Sequence, residues 1–154
     1  MQINTIKPFH IIGIAIRTTN ENGKAAIDIP MLWQKFFSEN IMQKIPNKVD
    51  NTLYCIYTEY EKDYTKPYTT LLGCQVSHIE ELPSGLTARS FEEGCYQVFS
   101  AIGSLNEGIV FKQWSKIWAL DIPRAYTADF EVYNERAFDA DNATVNIYIA
   151  VKNQ

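Results

Sequence analysis

In the stretch ADFEVY, residues 128–133, one carboxylate stands in the middle of a run of aromatic and apolar side chains. Alternate side chains of an extended segment point to opposite faces, so Asp129, Glu131 and Tyr133 share one face and Phe130 and Val132 the other. On a wet face Glu131 is an ordinary solvated carboxylate. Lining a cavity, it is an anion that needs a cation. With its pKa raised by burial, it could instead serve as a general base.

The remaining candidates for chemistry are weaker. The sequence has no glycine-rich phosphate loop, no GxSxG, no HExxH and no CxxC. His10 and His78 are far apart and read as structural or surface residues, so no metal site is expected. Glu59, Glu61, Asp63, Glu92 and Glu93 fall at strand ends or turns, where solvation is the ordinary state. Cys55, Cys74 and Cys95 lie in apolar segments at spacings that fit buried thiols, not disulfides or zinc ligands. No cofactor is implied. A formal net charge of -4 without a basic cluster argues against nucleic acid as a direct partner. The chain lacks a run long enough to span a bilayer, and its N-terminal apolar run reads as a strand and not as a signal peptide, so a cytoplasmic location is expected.

Which elements would position Glu131? Strand signals lie at about residues 9–17, 52–60, 69–78, 87–91 with 95–101, 129–134 and 144–151. Two amphipathic helices interrupt them. The first opens at Asp28, with Pro30 in its first turn and Leu32, Trp33, Phe36, Phe37 and Ile41 as its stripe. The second runs from about Ser104 or Asn106 to Leu120, with Val110, Trp114, Ile117 and Trp118 on one face. The order is strand, helix, strand, strand, stated twice, with the halves at about 1–80 and 84–154 and the turn ELPSGL between them. This predicts a single α+β domain over residues 1–154: duplicated β-α-β-β units forming one mainly antiparallel sheet, with both helices on one face. Parity in the last strand assigns Val145, Ile147, Ile149 and Val151 to the helix side, joined by Phe130 and Val132. Glu131, Tyr133 and Tyr148 are then expected on the other face, around a ligand pocket there.

The strings YTEYEKDYTKPYTTLLGCQV (57–76), LPSGL (82–86), WSKIW (114–118), RAYTADFEVY (124–133) and VNIYIAV (145–151) together resemble the GyrI-like family, the AraC-type effector-binding domains. The likeness covers nearly the whole chain. It implies a duplicated strand-helix-strand-strand fold with a ligand pocket, often for bulky lipophilic cations, served by a buried glutamate in the penultimate strand. Glu131 matches that glutamate, and the aromatic walls fall on Tyr133 and Tyr148, with Tyr57, Trp114 and Tyr126 as further candidates. Regulators of this type carry a helix-turn-helix domain ahead of the effector domain. Here the effector-like sequence starts within the first ten residues, so the expectation is a stand-alone multidrug-binding member, like those on mobile gene cassettes, acting on transcription only through a separate regulatory protein.

The leading expectation is a non-enzymatic binder of lipophilic aromatic cations. Second stands a GyrI-like small-molecule hydrolase using the same glutamate as base, and third a macromolecular interaction protein.

Overall fold

The computed structural model describes residues 3–137, 139 and 141–152. Runs rich in Ile, Val, Thr and Tyr form eight strands: β1 (Ile3–Ile6), β2 (Phe9–Thr18), β3 (Leu53–Thr58), β4 (Tyr68–Val76), β5 (Thr87–Phe91), β6 (Gly94–Gly103), β7 (Ala128–Tyr133) and β8 (Ala143–Val151). The helices are α1 (Ala25–Ser38), the single turn α2 (Ile41–Lys44) and α3 (Ile109–Ala119). All pairings are antiparallel and join the strands into one sheet, in the order β1-β6-β8-β7-β3-β4-β2-β5.

That order is the same from either end once β1–β4 are matched with β5–β8, so the sheet has a pseudo-twofold axis between β7 and β3. The duplication expected from the sequence is present, with one addition. Each half begins with a short strand that crosses to the other half, β1 onto β6 and β5 onto β2. Three helix boundaries also differ from expectation. Helix α3 starts only at Ile109, because Gly108 before it is left-handed (φ 70°). Helix α1 starts before Asp28, whose carboxylate accepts a hydrogen bond from the Thr18 hydroxyl at 2.9 Å and so ties the first turn to the end of β2. Ile41 belongs to α2, because Asn40 adopts the left-handed conformation (φ 52°) and ends α1.

Register decides which residues share a face. Cys55 pairs with Glu131 and Glu131 with Ile147, so these three point to the same side. On that side α1 packs Leu32 and Phe36 against Ile12, Ile14, Cys55, Leu72 and Cys74, and α3 packs Trp114 and Ile117 against Ile147 and Ile149. Both helices therefore cover one face, as expected, but Glu131 lies under them. Phe130 pairs with Tyr148, and those two face the other way. The expectation that Phe130 and Val132 join the helix side, with the pocket opposite, is corrected: apolar residues occupy both faces, so apolarity cannot tell them apart.

The second face is apolar because the sheet curls around it. The Phe9 ring in β2 lies 5.5 Å from that of Phe130 in β7, although β4 and β3 intervene. In a flat sheet strands three apart are separated by roughly 14 Å. Phe9, Ile11, Ile56, Leu71, Tyr96 and Phe130 form the core inside this curl. Gly13 and Gly73 face one another on the same concave side. A Cβ on Gly13 would stand 2.0 Å from the Leu72 carbonyl oxygen, and one on Gly73 would stand 2.2 Å from that of Ile12. The backbone cannot yield without opening the β2–β4 ladder. Gly13→Ala is expected to cost on the order of 3 kcal/mol or more, the upper range for an overpacked core. A denaturant midpoint equal to that of the unsubstituted chain would contradict this.

An aromatic cavity between the helices

The central strands β3 and β7 lie under the gap between α1 and α3. Between the two helices is a cavity of about 530 Å³. Its α1 wall includes Ile29, Pro30 and Trp33, its α3 wall Val110, Phe111, Trp114 and Trp118, and its floor Tyr57, Glu131 and Tyr133. Tyr60, Tyr64, Tyr68 and Arg124 complete one end. All three tryptophans of the chain line it.

Glu131 is 3% exposed. Its Oε2 accepts hydrogen bonds from the Tyr57 hydroxyl and from Trp114 Nε1, both at 2.7 Å, and its Oε1 accepts one from the Tyr133 hydroxyl at 2.5 Å. These donors are neutral. Burial raises the pKa of both tyrosines well above the usual phenol value, so they stay protonated and keep donating. Burial also pushes the Glu131 carboxyl above its ordinary value, while the bonds from Tyr133, Tyr57 and Trp114 pull it back. Among the described residues no basic side chain pairs with Glu131.

The pseudo-twofold axis explains how two unrelated-looking segments build one floor. Trp33 meets the Tyr133 ring edge-on at 4.8 Å, and Trp114 meets Tyr57 edge-on at 5.5 Å. In this symmetric frame the mate of Glu131 is its cross-strand partner Cys55. The Cys55 Sγ lies 3.4 Å from the Tyr57 hydroxyl, and burial raises its pKa well above the normal thiol range, so it is neutral. One half-site therefore holds a carboxylate and its counterpart an uncharged thiol.

A second buried charge cluster adjoins the first. Asp129, fully buried and one pleat from Glu131, accepts Arg124 Nη2 and the Tyr60 hydroxyl, each at 2.6 Å, and the Ala150 N–H at 2.8 Å. Burial raises Asp129, and these donors oppose it; Asp129 in turn holds the guanidinium charged. A guanidinium and two further donors on Asp129 favour its ionised form.

Of the residues expected at a site, Glu131, Tyr133, Tyr57 and Trp114 meet in the cavity. Tyr148 does not: its ring stacks on Phe130 at 4.7 Å on the concave face, because it is the register partner of Phe130 and not of Glu131. Tyr126 does not line it either. Its backbone is left-handed (φ 56°), and its ring sits behind the wall against Tyr60 and Arg124. Sequence reasoning missed Trp33, Trp118, Tyr60, Tyr64, Tyr68 and Arg124 as lining residues. The helical spacing of Trp33 and Trp118 reads as core stripe, but the repeat spacing of Trp33 and Trp114 is the signal that these two play matched roles. Among the described residues no cluster of three or more His, Cys, Asp or Glu could hold a metal, and no helix is long and apolar enough to cross a membrane.

Comparison with known proteins agrees with this architecture. Residues 2–151 match the model of the family described as Cass2, integron-associated effector binding protein. The crystal structure of integron cassette protein VCH_CASS2, from the mobile metagenome of Vibrio cholerae, is 32% identical, with 98% of this chain and 95% of that one covered and a TM-score of 0.76. The Bacillus subtilis (strain 168) protein YobU, named as a transcriptional regulator, is 31% identical over 128 residues, 80% of this chain and 79% of that one. The structure of SAV2435 bound to tetraphenylphosphonium shares the fold, with a TM-score of 0.80 at 15% identity over 98% of this chain and 93% of that one. The chain belongs to the integron-associated effector-binding protein family, a GyrI-like group whose members bind small molecules.

Proposed function

We propose that this protein is a non-enzymatic binder of lipophilic aromatic cations and that Glu131 supplies the counter-charge. One observation carries the reading: a buried carboxylate on the floor of an aromatic cavity, hydrogen-bonded by three neutral donors and paired with no basic residue among those described. Three neutral donors fix the carboxylate in place without cancelling its charge. A cation in the cavity does cancel it, and each aromatic face adds cation–π attraction of about 0.5 to 2 kcal/mol. Selectivity is loose, since flat walls and a single charge set few geometric demands. The relative bound to tetraphenylphosphonium gives outside support, at the level of a shared fold. Two buried cysteines with no disulfide fit a reducing, cytoplasmic setting.

The hydrolase alternative has less behind it. Both Glu131 oxygens already accept hydrogen bonds, and the second buried carboxylate nearby, Asp129, is held by Arg124.

The test uses two molecules of one shape. The N-benzylpyridinium cation and neutral diphenylmethane differ by a ring nitrogen and its charge. Quenching of tryptophan fluorescence should report binding directly, because all three tryptophans line the cavity. The cation is expected to bind at least about tenfold more tightly, the equivalent of about 1.4 kcal/mol. Equal affinities would remove the charge from the reading and leave an apolar pocket.

A further inference from the structure

The cavity wall holds a second charged group, Arg124, that recognition of a simple cation does not use. Its side chain is 6% exposed. One amino group donates to Asp129, but Nε and Nη1 have no acceptor among the described residues. The guanidinium carbon lies 4.3 Å from the centre of the Tyr126 ring and 5.7 Å from that of Tyr64. Buried donors without an acceptor are costly and uncommon in folded proteins. Neutralising Asp129 does not require them, since a lysine ammonium could do that as a point charge. Arginine is the residue that can hold Asp129 on one edge and offer N–H groups on another.

Tyr64 stands at this end of the cavity, on the connection between β3 and β4. Its ring stacks on Trp118 at 5.6 Å with only 10° between planes, and its carbonyl accepts a hydrogen bond from the Asn20 side chain at 2.9 Å. It is part of the lining and lies on a segment outside any strand or helix, residues 59–67. Nε and Nη1 are closed to solvent in this state, and Tyr64, 5.7 Å from the guanidinium carbon, is the lining ring beside them that lies on a loop.

We infer that the cavity reads two features of its ligand, a positive charge at Glu131 and an oxygen acceptor, such as a carbonyl, at Arg124, with Tyr64 moving aside to admit the acceptor. This rests on the cation reading above and narrows it. The two anchors are set by β7, where Asp129 and Glu131 are two residues apart on one face. That spaces their backbone positions by about 7 Å, so the charge and the acceptor are separated by roughly that distance or more. A ligand of this class is an aromatic ammonium or pyridinium compound with an amide, ester or ketone oxygen at that distance, and it binds in one orientation.

Binding of N-benzylpyridinium is compared with that of N-(4-carbamoylbenzyl)pyridinium, which adds one amide at the far end. The unsubstituted protein should bind the amide probe roughly tenfold more tightly, as expected for one hydrogen bond to a charged donor. Arg124→Lys keeps the charge opposite Asp129 and removes the free guanidinium edge. It should bring the two probes within about twofold of each other, whatever the affinity of the parent cation becomes. Glu131→Gln should weaken both probes to the same extent. If the parent cation binds but the amide gives no advantage, the Arg124 subsite is overturned and the cation reading stands; if neither probe binds, both fall. Should Arg124→Lys fail to fold, the Arg124 Nε–H resonance of the unsubstituted protein serves instead. It should shift on adding the amide probe and stay in place with the parent, and identical spectra with the two probes would overturn the subsite.

Discussion

Glu131→Gln is expected to lower cation affinity by about 2 to 5 kcal/mol, the usual cost of removing one partner from a desolvated charge pair. The substitution keeps shape and volume: the amide oxygen can take the place of Oε2 and accept from Tyr57 and Trp114, and the Tyr133 hydroxyl can turn to accept from the amide NH2 that replaces Oε1. The charge is lost, and one hydrogen bond changes direction. The same substitution should act in the opposite direction on stability, with a definite pH dependence. Burial raises the folded-state pKa of Glu131 above its unfolded value. Its contribution to stability is therefore fully present below the unfolded pKa, near 4.3, and is lost as pH rises through the folded value. Glutamine does not titrate. The melting temperature of Glu131→Gln relative to the unsubstituted protein should rise as pH increases above about 4.3. Calorimetric titration with N-benzylpyridinium and a melting series over that pH range measure the two effects. Unchanged cation affinity would show that Glu131 is not the counter-charge, and a difference in melting temperature that stays flat with pH would show that burial does not penalise it. A gain in stability with a loss of binding is the pattern of a group kept for function.

Asp129→Ala is expected to destabilise the protein by about 3 to 5 kcal/mol, because it leaves the Arg124 guanidinium buried without its partner. The substitution also removes the acceptor used by the Tyr60 hydroxyl and the Ala150 N–H. The latter matters structurally, since Ala150 lies in β8 and the Asp129 carboxylate ties that strand to β7, beyond the three register pairs the two strands share. Removing both charges is the informative control. A variant with Arg124→Met and Asp129→Leu should recover most of the loss, as an apolar pair fills the space without unpaired charge. Chemical denaturation of the single and double variants measures the coupling directly. Additive losses would mean that the pair has no mutual dependence, and a mild effect of Asp129→Ala would mean that Arg124 finds other solvation at the cavity end.

Much of this protein was legible in its sequence because the signals are local. The strand runs, the two amphipathic helices and the repeat that relates Trp33 to Trp114 follow from side-chain spacing, and spacing is a property of the chain alone. The placement of Glu131 inside a strand, among aromatic residues, was of this kind. What tertiary structure decided was the face. The sequence pattern paired Phe130 with Ile147 because both are apolar, and so carried Tyr148 to the side of Glu131. The β7–β8 register instead sets Glu131 opposite Ile147 and Phe130 opposite Tyr148. Register is a relation between strands, and a shift of one residue exchanges the faces without changing either strand's own pattern. Ordinarily a polar face identifies the solvent side and settles the matter. Here the sheet curls around a second core holding Phe9, Phe130 and Tyr96, and the Gly13–Gly73 contact permits that curl, so both faces are apolar. The same limit hid Arg124 and Tyr64: each comes from a connection between elements, and only the folded chain brings them to the end of the cavity that Glu131 begins.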